Sequence, residues 1–209
     1  DAAGIRVIAV YGNHDPLGSG RELLDMPANF HACSADEVEC VEIEQEGVTV
    51  ARVLGISYKS RRESRPLYSM LNPPDDAAAN IALLHTALDP KERNYVPCSV
   101  QDLLNQEKIH YWALGHVHQP RIVRRGCPTI AYPGTPQGRH PGESGVGGCL
   151  LVELSPGKAA EIQFVPISPY VWAEIEVPID ESSDDEPVVN LSDLEQLLKR
   201  KAEELLQEG

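Results

Sequence analysis

Short apolar runs that each end in a polar, histidine-bearing segment are the main pattern along this chain. Runs of this length, rich in β-branched and aliphatic residues, predict buried β-strands. The three runs and the segments that follow them are 5–11 with Gly12-Asn13-His14-Asp15, 81–84 with His85, and 111–114 with Gly115-His116-Val117-His118.

Alternating apolar and polar positions predict further strands at 38–43, 48–58, 121–125, 129–132, 148–154, 161–167 and 172–179. Residues 60–79 form a helix or a loop that ends in a turn. Ser99 is expected to cap a helix that runs to about Gln106, with Asp102 completing a capping box. Leucines at helical spacing predict a last helix over 191–206, capped by Asn190 or Ser192.

These elements predict an α/β fold with two regions. We expect a partial catalytic domain over 1–170 and the start of a capping or accessory region over 171–209, made of a strand, an acidic linker at 181–187 and a helix. The leucine positions of that helix pack on the main domain in the simplest interpretation, or on a partner.

The polar ends of the three apolar runs predict a ligand site. In open α/β sheets, ligands bind at the carboxyl ends of strands, so these segments should meet at one edge. Imidazole nitrogens with amide and carboxylate oxygens, without thiolates, favour a catalytic metal site over a structural zinc site. Arg139 and His140, in a loop rich in Gly and Pro, are candidates for substrate contact, although a surface role is the simpler interpretation.

Composition narrows the setting of such a site. No apolar run approaches the roughly 18 residues that a membrane span needs. The five cysteines are odd in number and widely spaced, which argues against a disulfide framework and predicts a reducing cytoplasm. The net charge is −14, with 12 acidic and 3 basic residues after position 170. Acidity of this kind does not by itself indicate a nucleic-acid partner.

The histidine-bearing segments carry a family resemblance. Gly12-Asn13-His14-Asp15, His85 and Gly115-His116-Val117-His118 resemble the third, fourth and fifth motifs of calcineurin-like metallophosphoesterases. The stretches at 112–120 and 131–140 resemble those of SbcD/YhaO-type DNA repair exonucleases more closely. The implied fold is an αββα sandwich of two mixed sheets flanked by helices.

The resemblance implies a role for each site residue. Asn13, His85 and His116 would bind the second of two metal ions, and His118 would bind the first. His14 would protonate the leaving group or stabilise phosphoryl charge, with Asp15 orienting its ring. The cofactors would be two divalent ions, Mn in the first place, with Fe, Zn or Mg as alternatives. The implied partners are DNA and an SMC-like ATPase subunit; the oligomeric state stays open.

Two motifs of the family are absent from this sequence. Neither D-x-H nor G-D-x-x-D occurs among the eleven residues before Gly12. We therefore expect a chain that lacks the first β-α-β unit of the sandwich, with an incomplete dimetal site and little or no activity by itself. Residues encoded upstream of Asp1 would test this expectation.

Three functions remain open on this basis. The first is a DNA exonuclease in the complete protein, the second is a phosphodiesterase or phosphatase for small molecules, and the third is a non-catalytic, truncated interaction module. The metal-binding motifs are common to the first two and cannot separate them.

Overall fold

The computed structural model describes residues 3–17, 26–74, 78–155, 158–177 and 188–208. Within these ranges the chain forms ten strands, which we number in chain order: β1 Val7–Ala9, β2 Phe30–Ala32, β3 Glu39–Gln45, β4 Val48–Gly55, β5 Ala79–His85, β6 Tyr111–Gly115, β7 Arg121–Arg124, β8 Thr129–Tyr132, β9 Gly148–Glu153 and β10 Glu161–Pro166. A 3-10 helix spans Leu67–Met70, and the helices are α1 Val100–Leu104 and α2 Leu191–Glu208.

A mixed six-stranded sheet with the order β3-β4-β5-β6-β8-β7 forms the centre of the fold. Its four inner strands are parallel, and the two edge strands run antiparallel to their neighbours. Parallel strands are normally covered on both faces, which explains why β5 and β6 are apolar almost throughout. Because the inner strands are parallel, their carboxyl ends lie at the same edge of the sheet.

Two small sheets accompany the large one. β1 and β2 form a parallel pair, and β9 and β10 form an antiparallel pair. The first apolar run is therefore part of a separate sheet rather than a strand of the large one. Backbone bonds join the two layers after β1 ends, since Tyr58 N donates to Tyr11 O at 2.9 Å.

The core lies against one face of the large sheet. Trp112, Tyr132 and Leu84 are almost fully buried there and pack with Leu67 of the 3-10 helix and Leu103 of α1. Burying side chains of this size stabilises the fold by roughly 1.5–3 kcal/mol each. This packing holds the carboxyl ends of β5 and β6 in fixed positions.

Most predicted elements agree with the structure, and the α/β class is confirmed. The capping box forms as predicted, because the Ser99 side chain accepts a bond from Asp102 N while the Asp102 carboxylate accepts one from Ser99 N. Asn190, one of the two proposed caps of α2, accepts bonds from the Ser192 and Asp193 amides. Helix α1 is shorter than predicted, and the 60–79 segment contributes one turn of 3-10 helix.

Two differences concern strands. The strand predicted over 172–179 is wrong across the described part of that segment, where Trp172 forms an isolated bridge with Gly145 and no ladder follows. Strand β2 was not predicted, because three residues are too few to show alternation. The acidic linker at 181–187 lies outside the described residues. No helix within the described ranges is both long and apolar enough to cross a bilayer.

Candidate metal centre

The carboxyl ends of β5 and β6 bring two predicted ligands together. The register pairs His85 with Gly115, so His116 follows one position beyond the paired residues. The imidazole rings of His85 and His116 meet edge to face, with their centroids 5.3 Å apart. This close approach follows from the short spacing between neighbouring strands, about 4.8 Å.

Asn13 reaches the same place from the loop after β1. Its Oδ1 lies 2.7 Å from His85 Nε2 and 3.4 Å from His116 Nδ1. An amide oxygen is therefore held next to one ring nitrogen of each histidine. The three residues predicted as ligands of one metal ion form a single cluster of donor atoms, hereafter the Asn13–His85–His116 cluster.

The backbone around this cluster leaves little space. A Cβ on Gly12 would lie 2.3 Å from His85 Cε1, so no larger residue fits there without displacing the ring. Tyr58 fixes the other side of His85, because its hydroxyl donates to His85 O at 2.9 Å. His116 has a φ of 101°, which is unfavourable for a residue with a side chain. Strained conformations of this kind are concentrated at functional sites.

Burial keeps both imidazoles of the cluster neutral. Burial and, to a smaller extent, the nearby His116 together lower the pKa of His85 from 6.5 to about 4. The pKa of His116 is lowered as well, first by burial and then by His118. A neutral imidazole has one ring nitrogen with a lone pair, which is the form that binds a metal ion. The cluster thus offers two imidazoles and one amide oxygen, a donor set that suits Mn, Fe or Zn.

His118 makes no hydrogen bond to the cluster among the described residues and has a different partner. Its Nδ1 is 2.6 Å from Oε1 of Glu143, whose side chain is 6% exposed. Sequence reasoning missed Glu143, because it lies 25 residues further along the chain in a loop with no distinctive spacing. The glycines of that loop were the one available sign in the sequence that the loop packs closely against another segment, but they do not single out Glu143.

His14 and Asp15 complete the predicted set. His14 is exposed and lines a cleft of about 380 Å³ together with Asn13, Tyr95 and three arginines, Arg61, Arg62 and Arg139. Asp15 accepts a bond from Gly12 N at 3.0 Å and so closes the turn. Among the hydrogen bonds of the described residues, none joins Asp15 to the His14 ring. No contact among these residues therefore supports the predicted orientation of the His14 ring by Asp15. The bond to Gly12 N instead shows that Asp15 stabilises the loop.

Comparison with known proteins identifies a relative of this chain. The chain is 31% identical over 181 residues to the uncharacterized metallophosphoesterase YhaO of Bacillus subtilis (strain 168). The match covers 86% of this chain. This chain is a homologue of the metallophosphoesterases. The present chain spans 44% of the length of that relative. No family model matches the present chain.

The metallophosphoesterase homology makes the Asn13–His85–His116 cluster the principal candidate for a metal ion in this chain. A second group of potential ligands exists among the described residues, because donor atoms of His31, Cys33 and Glu39 lie within 4.8 Å of one another. Two of these are already in hydrogen-bonding contact, with His31 Nε2 and Glu39 Oε2 2.5 Å apart. Burial and then the neighbouring Glu39 raise the pKa of the Cys33 thiol to about 11, so without an ion this group is a neutral thiol.

Proposed function

We propose that this chain carries one half of a divalent-metal site that hydrolyses phosphodiesters, with the other half supplied by the complete gene product. The observation that carries the proposal is the position of Asn13 Oδ1 beside ring nitrogens of both His85 and His116. Three nitrogen and oxygen donors converge there, a ligand set that suits a divalent metal ion.

The residues of this chain have distinct tasks in the reaction. Asn13, His85 and His116 hold one ion, and His118 contributes to the other. Divalent ions, with Mn as our first choice, supply activation of water and neutralisation of phosphoryl charge when bound. His14 stands in the adjoining cleft and donates a proton to the departing sugar oxygen.

We further propose that the substrate is DNA, as in a repair exonuclease. The charge of the cleft supports this choice. Although the chain has a net charge of −14, the cleft that contains His14 is lined by Arg61, Arg62 and Arg139. Guanidinium groups bind phosphates in a bidentate manner. Three of them beside the proton donor fit a polyanionic backbone better than a small ester with one phosphate.

Two remaining proposals follow the resemblance rather than the geometry. We propose an SMC-like ATPase as the partner of the complete protein. We also propose a cytoplasmic location, which is supported by the odd number and wide spacing of the five cysteines.

The test compares two substrates in the presence of Mn²⁺. Hydrolysis of bis-nitrophenyl phosphate and of linear DNA is measured for the complete gene product, for the 209-residue chain and for His85→Ala in each. We expect hydrolysis of both substrates by the complete protein and a loss of at least a hundredfold on His85→Ala. The chain alone should show little activity.

A double variant tests the substrate. Arg61→Gln with Arg62→Gln should weaken DNA hydrolysis in a salt-dependent manner, because backbone contacts act through phosphate charge. The same double variant should change hydrolysis of the small ester much less. Arg125→Gln is the control, since Arg125 is exposed and does not line the cleft. Hydrolysis of the small ester without any cleavage of DNA would favour the small-molecule alternative, and no hydrolysis of either would favour the non-catalytic one.

A further inference from the structure

The loop after β8 folds back over the end of β6 and places the buried Glu143 carboxylate next to the segment that follows β6. Thr135 N donates to His118 O at 2.9 Å, which attaches the start of the loop to the segment after β6. Further along, a Cβ on Gly138 would lie 2.4 Å from Glu143 O, so the two sides of the loop are in direct contact. The indole of Trp172 donates to Gly138 O at 3.1 Å and holds the loop from outside.

Glu143 is the carboxylate that this loop delivers. Its Oε2 accepts a bond from Arg139 N at 2.8 Å, and its Oε1 lies 2.6 Å from His118 Nδ1. The same Oε1 makes two longer contacts, one to His140 Nε2 at 3.6 Å and one to the guanidinium Nη2 of Arg139 at 3.8 Å. Nitrogen atoms therefore face both carboxyl oxygens, with the Arg139 N–H at Oε2 and His118 Nδ1 at Oε1, which is the arrangement of an acceptor-only carboxylate.

A carboxylate in this position decides which nitrogen of His118 carries the proton. An ionised carboxyl group accepts hydrogen bonds and cannot donate them, so Nδ1 must be protonated for the short contact to be favourable. In the neutral ring the lone pair is then on Nε2. The His118 side chain is 38% exposed, which leaves the ring accessible although one of its nitrogens is engaged.

The two histidines of the Asn13–His85–His116 cluster lack this arrangement. The ring nitrogens of His85 and His116 approach Asn13 Oδ1, and no hydrogen bond in the described residues joins either ring to a carboxylate. Glu143 thus acts on His118 and not on the Asn13–His85–His116 cluster.

We propose that Glu143 is a positioning residue that holds His118 as the Nδ1–H tautomer and leaves Nε2 unprotonated as the ligand atom. The ligand role rests on the proposed function, whereas the tautomer does not. Carboxylates that orient a metal-binding imidazole in this way strengthen metal affinity by about 10–100-fold.

The tautomer is measurable in the metal-free chain. Long-range ¹⁵N–¹H correlation spectra at pH 7.5 with EDTA distinguish a protonated ring nitrogen from one with a lone pair. We expect His118 to show a protonated Nδ1 and an unprotonated Nε2. In Glu143→Gln the preference should weaken, and in Glu143→Asp, which keeps the charge, it should be partly restored. Circular dichroism checks that each variant is folded.

A matched control exists in another glutamate–histidine pair. Glu39→Gln removes the carboxylate beside His31, so the His31 ring signals should change while those of His118 stay as in the wild type. An Nε2–H tautomer of His118 in the wild-type chain would overturn the proposal, as would an unchanged tautomer in folded Glu143→Gln. The wild-type spectrum decides the matter even where a variant does not fold.

Zinc titration separates this proposal from the proposed function. Zn²⁺ is diamagnetic, so an ion bound only at the neighbouring Asn13–His85–His116 cluster does not broaden the His118 signals, whereas direct coordination changes the ¹⁵N shift of His118 Nε2. That change should need about 10–100-fold more Zn²⁺ in Glu143→Gln than in the wild type. If the tautomer is as expected and the wild-type Nε2 shift never changes, the ligand role assigned to His118 is refuted and the tautomer assignment stands. An equal Zn²⁺ requirement in both proteins would refute positioning by Glu143.

Discussion

Protonation of His85 should destabilise the fold in mildly acidic solution. Burial and, to a smaller extent, the neighbouring His116 together lower the pKa of this group from 6.5 to about 4 in the folded chain. Between those two pH values the unfolded chain binds a proton that the folded chain does not. The free energy of unfolding therefore falls as the pH decreases through this window, and the contribution of His85 is fully present above pH 6.5.

The magnitude follows from the size of the shift. Each pKa unit corresponds to about 1.4 kcal/mol. The full shift of the His85 pKa therefore lowers the free energy of unfolding by on the order of 3 kcal/mol once the pH is below both pKa values. At pH 4.5, close to the folded-state value, roughly 2–3 kcal/mol of this should already be lost. For a domain whose total stability is typically about 5–15 kcal/mol, this is a large change.

Urea unfolding measures the effect. Unfolding curves are recorded by tryptophan fluorescence at pH 7.5 and pH 4.5, with EDTA to remove metal ions, for the wild type and for His85→Asn. The loss of stability between the two pH values should be roughly 2–3 kcal/mol smaller in the variant. Carboxylates that titrate in the same range are present in both proteins, so their contributions cancel.

A cavity variant is the matched control. Leu84→Ala removes a fully buried neighbour of His85 and should cost roughly 2–5 kcal/mol at both pH values, because the imidazole remains. Its loss of stability on acidification should equal that of the wild type. The reasoning would be refuted if His85→Asn lost as much stability on acidification as the wild type does.

Three further predictions test the site and the fold. Gly12→Ala should displace His85 and weaken Mn²⁺ binding to the chain by at least about tenfold in calorimetry; unchanged binding would show that the ring can move without loss. Ser99→Ala should lower the free energy of unfolding by about 1 kcal/mol, since it removes the bond to Asp102 N at the start of α1. Ile130→Ala, at a fully buried position of β8, should lower it by roughly 2–5 kcal/mol in urea unfolding; a cost below 1 kcal/mol would contradict its place in the core.

Most strands of the large sheet could be predicted from the sequence. Its inner strands are short apolar runs with clear boundaries, and β8 lies at Thr129–Tyr132 as predicted. The strand expected over 172–179 failed for a physical reason. Alternation indicates a strand only where a neighbour supplies a ladder, and Trp172 instead uses its indole to bond Gly138 O.

The site was predictable only in part. Asn13, His85 and His116 belong to short segments at strand ends, and topology brings such segments together. Glu143 and the arginines of the cleft are different, because their positions depend on how loops fold back over the sheet. Spacing along the chain has no relation to the 2.6 Å contact between Glu143 and His118.

The order of the strands gives the site two chemically different sides. β5 and β6 are neighbours and supply His85 and His116, which meet the neutral amide of Asn13. β8 lies on the far side of β6, and the loop that follows it supplies the Glu143 carboxylate to His118. The cluster thus presents neutral donors, whereas the His118 ring is paired with a carboxylate whose contact raises the basicity of its other nitrogen. The parallel order of β5, β6 and β8 therefore sets which of the proposed ligands is backed by a negative charge.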